Sequence, residues 1–375
     1  MTQLRYPSPG LDDLFSGVSQ PVTTLEILHH MLQGAITHEF AAIAPCMTAL
    51  WSIQQVESET AHYIHQQVFS KLAQAYQMAN LLLAVGGVPK FTGVHAPVYP
   101  CYLATGEQGG QVELGLGEAD HHFYRDILPV LAVASQAQPP ADDAAIETVG
   151  QFYKVIEDGL VQLEEQAQLQ GETIFKTTPG YKQAERMGYG VEGYSLLQVT
   201  NLMQAHQVLR RLIGETEQSL PALPFSLVAL GAEHATLPAV EPIRHSDSEG
   251  QYWEGISRSA AQLFDGYYSE LMRVLERSFE KDERMHQRYL DMAQPLMRDV
   301  LPALARMIMQ LPASAQATEL AVPQWRYSLN TLTQTQQQTA DLQQEMAAPE
   351  CARCDEAQVL GQVLGRVISR VEALN

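Results

Sequence analysis

A single carboxylate lies in the middle of an otherwise apolar helical stretch near the start of the chain. Glu39 occurs within GAITHEFAAIAPCMTALWSI, where most neighbouring side chains are small or hydrophobic. Burying a carboxylate in such surroundings is costly unless a cation or a metal ion compensates its charge. Glu39 is therefore the first candidate for a catalytic or ligand-binding residue.

Two polar residues further along could compensate that charge. Lys71 and Gln74 are three residues apart in VFSKLAQAYQMANLLLAVGGVPK, so they share one helix face with apolar neighbours. They are either two solvated surface residues, or they face Glu39 inside a helical bundle. In the second arrangement a Lys–Glu–Gln cluster could bind a carboxylate or carbonyl group and carry out acid–base chemistry.

Three other motifs are better explained without a site. The Gly-x-Gly-x-x-Gly sequence at 188–193 follows no predicted strand, and the residue twenty positions after its second glycine is Arg210 rather than an acid. The Cys-x-x-Cys pair at 351–354 lacks two further zinc ligands nearby. The Asp-His-His sequence at 120–122 is expected to cap a helix with its aspartate and to expose both histidines.

The elements that carry these residues are predicted to be helices, because apolar residues recur with a period near 3.6 and no strand–helix alternation is found. The predicted helices are Thr23–Ile53, Ser58–Ala84, Glu118–Gln136, Asp142–Gln170, Ser195–Glu217, Tyr252–Phe279, Lys281–Leu311 and Ser328–Leu374.

The predicted fold is all-α, with a four-helix bundle over residues 20–220 and a C-terminal helical region over 221–375 that packs on the bundle. Two stretches rich in Gly and Pro, 90–117 and 171–194, are expected to be ordered loops, the first with a short strand at Gln111–Leu116.

Charge and composition exclude several classes of protein. The 375 residues include 43 acidic and 23 basic side chains, a formal net charge of −20, which disfavours nucleic acid and anionic membrane surfaces as partners. No apolar run approaches the ~20 residues of a membrane span. Four cysteines without a disulfide framework, and no signal-like N-terminus, are typical of a cytoplasmic protein.

Several segments together resemble one family. After Glu39 come ANLLLAVGGVPK at 79–90 and the loop PVYP at 97–100; the other segments are TVGQFYKVIEDGL at 148–160, VTNLMQAHQVLRRLIGETEQ at 199–218 and FDGYYSELMRVLERSFEK at 264–281. The chain resembles the ferritin-like iminophenylpyruvate dimer synthase family over about residues 25–311. The resemblance implies a bundle in which two helices each supply a Glu and two others a Glu-x-x-His, to hold two irons.

The chain departs from the family pattern at the metal ligands. Glu39 matches the first carboxylate, but Lys71 and Gln74 stand where the family has a glutamate and a histidine. Gln151 stands in place of a third-helix glutamate, whereas Glu217 matches the fourth-helix carboxylate. Because an ammonium group repels a divalent cation, the expectation is a ferritin-like bundle with no metal and no other cofactor.

The resemblance implies a biosynthetic enzyme of secondary metabolism, since family members act on imines, enamines and coupled aryl-pyruvate products. We expect a small, amino-acid-derived substrate and a condensation, cyclisation or isomerisation. Glu39 or Glu217 would act as general base, and Lys71 or Gln74 would polarise an oxyanion.

Five further side chains are expected to contact the substrate: His38, Tyr76, Tyr99, Gln151 and Tyr153. The 90–117 loop, which carries Tyr99, is expected to roof the pocket and to exclude water from it.

Two alternatives remain open at this point. The chain could be a non-catalytic scaffold of a biosynthetic pathway, in which the Glu39–Lys71 pair only stabilises the bundle. It could also be a di-iron oxidase with displaced ligands, drawn from His38, His62 and His65. A homodimer is a further expectation.

Overall fold

The computed structural model describes residues 22–55, 57–104, 111–129, 149–185, 196–213, 227, 229–232, 236–240, 243, 255–282, 289, 292–313 and 320–346. Helices dominate these residues, which confirms the all-α prediction. The α-helices are α1 (Leu25–Ala41), α2 (Ile43–Ser52), α3 (Glu59–Ala84), α4 (Val149–Leu169), α5 (Leu202–Leu212), α6 (Gly255–Arg277), α7 (Leu301–Ile308) and α8 (Leu332–Met346).

Four of these helices close a bundle. Helix α1 packs on α3 and α4, and both α3 and α4 contact α5, so the four helices form a ring around a shared core. Helices α1 and α3 begin at side-chain caps. The Thr24 side chain accepts a hydrogen bond from the Ile27 N–H, and the Ser58 side chain accepts one from the Ala61 N–H. Helix α3 ends at Ala84 and is followed by Gly86, whose positive φ of 89° suits glycine.

The predicted helix Thr23–Ile53 is two helices, with a break at Ala42. The cause is Pro45, which has no N–H to donate to the carbonyl of Ala41 four residues earlier. The hydroxyl of Tyr99 donates to that carbonyl instead, at 2.8 Å. The 90–117 loop is therefore attached to the bundle at the point where proline interrupts the helical hydrogen bonds.

The predicted helix Ser195–Glu217 starts later than expected, at Leu202. Residues 196–200 have no regular secondary structure, and buried glutamines pair with their backbone. Gln77 accepts from the N–H of Leu197 at 2.8 Å and donates to its carbonyl at 2.9 Å, and Gln183 pairs in the same way with Val199. These amides satisfy backbone groups that have no partner in a helix or a strand.

Two other predicted boundaries change. Lys281 is not helical and donates its backbone N–H to the carbonyl of Gly180, so the helix predicted at Lys281–Leu311 does not begin at Lys281. Its described helical residues are 289 and those from 292 onward, which include a π-helical turn at Leu296–Val300. Residues 328–331 precede α8 and are not helical.

The predicted strand has a partner in the loop. Strand β1 (Cys101–Ala104) pairs antiparallel with β2 (Gln111–Leu114), with Cys101 opposite Leu114. A π-helical turn at Phe123–Ile127 follows within the predicted helix Glu118–Gln136.

The C-terminal helices pack on one another and on the bundle. Helix α6 contacts α7 and α8, and α7 contacts α2. Helices α6 and α8 approach closely at Gly266, where an added Cβ would lie 2.6 Å from Thr335 Oγ1. Among the described helices, none combines the length and the apolar character needed to cross a bilayer. The predicted domain boundary near residue 220 lies outside the described residues.

Candidate functional site

Glu39 and Lys71 form an ion pair between α1 and α3. Lys71 Nζ lies 2.8 Å from Glu39 Oε2, and the two side chains are 12% and 3% exposed. The pairing predicted from the apolar surroundings of Glu39 is confirmed. Because both groups are withdrawn from water, removing either would leave the other charge uncompensated.

Helix α4 supplies a second donor to the same carboxylate. The hydroxyl of Tyr153 donates to Glu39 Oε1, so each carboxylate oxygen accepts a hydrogen bond from a different helix. Burial raises the pKa of Tyr153 well above its ordinary value, and the charge of Glu39 raises it further. Tyr153 is therefore a neutral donor at physiological pH.

The charge states of the cluster follow from burial and from its neighbours. Burial alone would raise the pKa of Glu39, but the charge of Lys71 and the hydrogen bonds from Lys71 and Tyr153 hold that pKa below its ordinary value. Burial lowers the pKa of His38 to about 4, with Glu39 opposing the shift and Lys71 adding to it. The site thus holds an ionised carboxylate beside a neutral imidazole.

A polar stripe on α3 extends this cluster along the helix. Tyr63, Gln67, Lys71 and Gln74 are spaced by four, four and three residues, which places them on one face. Gln67 is fully buried, and its amide oxygen and nitrogen have no hydrogen-bond partner within the described part of the chain. The same holds for the hydroxyl of Tyr63 and the amide oxygen of Gln74.

Gln67 and Tyr63 were not predicted, although their spacing from Lys71 was a signal available in the sequence. Buried polar atoms in proteins nearly always have partners, so those of Gln67 indicate a place where water or a polar ligand binds.

Two other residues predicted to contact the substrate, Tyr76 and Gln151, lie elsewhere on α3 and α4. Tyr76 has its hydroxyl 3.5 Å from Ser278 Oγ, and its ring packs at 5.2 Å from that of Phe279, so it belongs to the contact between α3 and the end of α6. Gln151 is half-buried on α4, turned by about 200° from Tyr153 around the helix. Tyr153, rather than Gln151, is the α4 side chain that donates to Glu39.

Three predicted features fall outside the described residues. These are Glu217, the glycines of 188–193 and the cysteine pair at 351–354.

The described residues do not fit a di-iron centre. Glu39 is the cluster's one carboxylate among them, and its oxygens already accept from Lys71 and Tyr153. The displaced-ligand alternative finds no support here either, because no group of three or more His, Cys, Asp or Glu side chains suited to a metal ion occurs in the described part of the chain. The exposed His62 lies 3.0 Å from the amide nitrogen of Gln66, and His65 packs edge-on against Phe69.

An apolar cavity of about 50 Å³ lies between the bundle and the C-terminal helices. It differs from the polar, bundle-interior pocket that we predicted, since neither Glu39 nor Lys71 is among its lining residues. The loop contributes Tyr99 to its wall, and the other lining residues come from the helices and from the segment before α8: Phe40, Ile43, Ala44, Met47, Trp51, His65, Val68, Phe69, Leu72, Tyr268, Leu271, Leu275, Met297, Leu301 and Trp325.

Comparison with known proteins identifies the bundle. A crystal structure of a ferritin-like protein from Caulobacter vibrioides is 17% identical, covers 82% of this chain and 99% of that chain, and superposes with a TM-score of 0.49. No curated protein matches the chain in sequence. The ferritin-like family model matches residues 32–222, just over half of the chain and the part that carries Glu39, Lys71 and Tyr153. The chain belongs to the ferritin-like family.

Proposed function

We propose that this ferritin-like protein is a metal-independent biosynthetic enzyme that acts on a small molecule at the Glu39–Lys71 cluster. The observation that carries the proposal is the lysine itself: its ammonium group lies 2.8 Å from Glu39 Oε2 and neutralises a carboxylate that a cation would otherwise have to compensate. The unpartnered amide of Gln67, one turn away on α3, supplies polar atoms for a ligand.

The cluster contains the groups that acid–base chemistry needs. Glu39 is ionised and can accept a proton, while Tyr153 and Lys71 are donors that can stabilise negative charge developing on a carbonyl oxygen. Gln74 lies next along the stripe and offers an amide for the same purpose. A substrate would replace one of the two donors to Glu39, which leaves the carboxylate free to act as a base.

The likeness to the iminophenylpyruvate dimer synthase family supports a finer assignment. It favours an amino-acid-derived imine or carbonyl compound as substrate, with condensation, cyclisation or isomerisation as the reaction. Glu217, the residue that the likeness offers as a second base, remains part of the proposal, as do a cytoplasmic location and a homodimer.

Turnover is the direct test. The full chain would be incubated with a panel of aryl-pyruvate imines, and conversion would be followed by mass spectrometry. Glu39→Gln and Lys71→Met should each abolish conversion, whereas the matched control Lys176→Met, at an exposed ion pair with Glu172, should retain it. If folded Glu39 and Lys71 variants keep the full rate, the chemistry is not at this cluster.

Metal dependence is tested separately. After reconstitution with ferrous iron and removal of unbound metal, elemental analysis should find no stoichiometric iron. Two irons per chain would overturn the metal-independent proposal and favour the di-iron alternative.

A non-catalytic role is the second candidate, favoured by the fact that both oxygens of Glu39 already have protein donors. In that case no member of the panel is converted, and replacing both charges together by Glu39→Leu and Lys71→Met leaves a folded and stable protein.

A further inference from the structure

The apolar cavity between the bundle and the C-terminal helices has aromatic walls. Trp51 of α2 stacks on Trp325 with ring centroids 5.4 Å apart and planes 5° from parallel. Phe264 and Tyr268 meet the ring of Trp325 edge-on, at 5.0 and 5.1 Å. Flat rings held by perpendicular neighbours form a rigid surface of the kind that complements another planar ring.

The backbone at Trp325 is held in a conformation that a bulky residue rarely adopts. Its φ is 53°, in the left-handed region. Such conformations are energetically unfavourable, persist only where the surroundings enforce them, and cluster at ligand-binding sites. The indole N–H of Trp325 donates to Thr48 Oγ1 at 3.0 Å, which fixes the ring against α2.

The segment that carries Trp325 is fastened along α6. Asp265, Ser269 and Arg273 recur every four residues and bind the backbone of residues 322–330, which we call the strap. Asp265 and Ser269 accept strap N–H groups at 3.0 and 2.6 Å, and Arg273 donates to two strap carbonyls at 3.3 and 2.6 Å. The strap thus presents Trp325 to the cavity from a fixed position.

The lining carries no permanent charge. His65 is its one histidine, and burial, followed by the charges of His62 and Arg298, lowers its pKa. Burial raises the pKa of Tyr99 and of Tyr268 above the ordinary value, so both stay protonated. A charged group inside this cavity would lose its hydration without gaining a partner.

From these observations we infer that the cavity is a binding site for an uncharged planar aromatic ring, whose charged substituents, if any, stay outside. The site is distinct from the Glu39–Lys71 cluster and does not depend on the proposed catalytic function.

The size of the cavity sets how the ring enters. At about 50 Å³ it is smaller than the ~150 Å³ apolar cavity known to take up benzene, so side chains must move. Met47 and Met297 are lining residues that are only half-buried, and unbranched thioethers repack readily. We expect these two methionine side chains to change rotamer when the ring binds.

Binding of 5-fluoroindole to the full chain tests the inference, with the fluorine signal followed by nuclear magnetic resonance. The wild type should give saturable binding. Ala44→Leu, which fills the cavity, should weaken binding at least tenfold, whereas the matched control Ala167→Leu on half-exposed α4 surface should not change it. Should Ala44→Leu fail to fold, Met297→Trp at the half-buried position provides the same obstruction.

Two outcomes would overturn the inference: no saturable binding to the wild type, or equal binding to the obstructed variants. Lys71→Met should bind 5-fluoroindole as the wild type does. Failure at the cavity is therefore distinguishable from failure of the proposed catalytic site.

Discussion

At the scale of single residues, the bundle interior depends on how one carboxylate is compensated. Glu39 is buried and its charge would be strongly destabilising alone, yet its pKa is lowered because Lys71 of the neighbouring helix α3 pairs with it. Tyr153 then binds the second oxygen. Because a lysine side chain compensates this carboxylate, the buried charge of Glu39 is neutralised without a bound ion.

Glu39→Gln and Lys71→Met should therefore be strongly coupled. Either change alone should lower the free energy of unfolding by ~3–5 kcal/mol, because it leaves a buried group without its partner, and the double variant should lose less than the sum. Urea denaturation of the four proteins of this cycle measures the coupling. Additive losses would mean that the ion pair contributes nothing to stability.

The sequence suffices to predict this pair and not its surroundings, for a physical reason. Glu39 is the one acid in the apolar part of α1 and Lys71 is the one lysine of α3, so each indicates the other as its partner. Whether Gln151 or Tyr153 faces them depends on the rotation of α4, which packing decides. The spacing of Gln67 from Lys71 places it on the same helix face, but the sequence does not show that its amide is buried without a partner.

At the scale of elements, a proline and a tyrosine far apart in sequence act together. Pro45 leaves the carbonyl of Ala41 without its helical donor, and the loop returns Tyr99 to supply one. The helical period of the sequence continues through this break, which is why one helix was predicted where two occur. Only the path of the loop shows how the carbonyl is satisfied.

Tyr99→Phe should lower the free energy of unfolding by ~1–3 kcal/mol, since a buried carbonyl loses its donor. Pro45→Ala restores a backbone N–H at the correct position, so the same tyrosine change made in a Pro45→Ala background should cost clearly less. Denaturation midpoints of the two pairs measure the difference. An equal cost in both backgrounds would show that the tyrosine hydroxyl acts through another contact.

Asp265, which binds the strap to α6, makes the stability of the protein depend on pH. Burial raises the pKa of Asp265 to about 7, although the backbone N–H and the charge of Arg326 lower it in part. The folded protein therefore binds this proton more tightly than the unfolded chain does. The resulting stabilisation is full below pH ~4, the ordinary range of an aspartate, and is lost as the pH rises through about 7.

Asp265→Asn keeps an oxygen for the Arg326 N–H and removes the titration. The free energy of unfolding of the wild type relative to this variant should fall between pH 4 and pH 8, by at most about 4 kcal/mol. Taking the difference removes the opposite contribution of His38, whose pKa is lowered by burial. Parallel stability curves for the two proteins would contradict an unusual Asp265.

At the scale of the whole molecule, one hydrophobic core runs from the bundle into the C-terminal helices. The stacked pair of Trp51 and Trp325 joins residues more than 270 positions apart, and Phe264 packs against both. No pattern within a helix could predict this contact, because each wall of the cavity belongs to a different part of the sequence. The helices themselves were predictable from their period, and their assembly was not.

The continuous core predicts that bundle and C-terminal helices unfold together. In urea, the far-ultraviolet circular dichroism of the helices and the near-ultraviolet signal of the tryptophans should show one common midpoint. Trp325→Ala should shift both signals equally, at a cost of about 3–5 kcal/mol. Two separated transitions would instead indicate domains that are independently stable.

The close approach of α6 and α8 at Gly266 constrains how descendants of this sequence can diverge. A methyl group at position 266 would lie 2.6 Å from Thr335 Oγ1, so that substitution requires the threonine or its helix to shift. A smaller residue at 335 removes the obstruction, after which position 266 is open to alanine. Exchange of this pair is therefore favoured in one order, with position 335 changing first, and an alanine at 266 would in turn disfavour the return of threonine to 335.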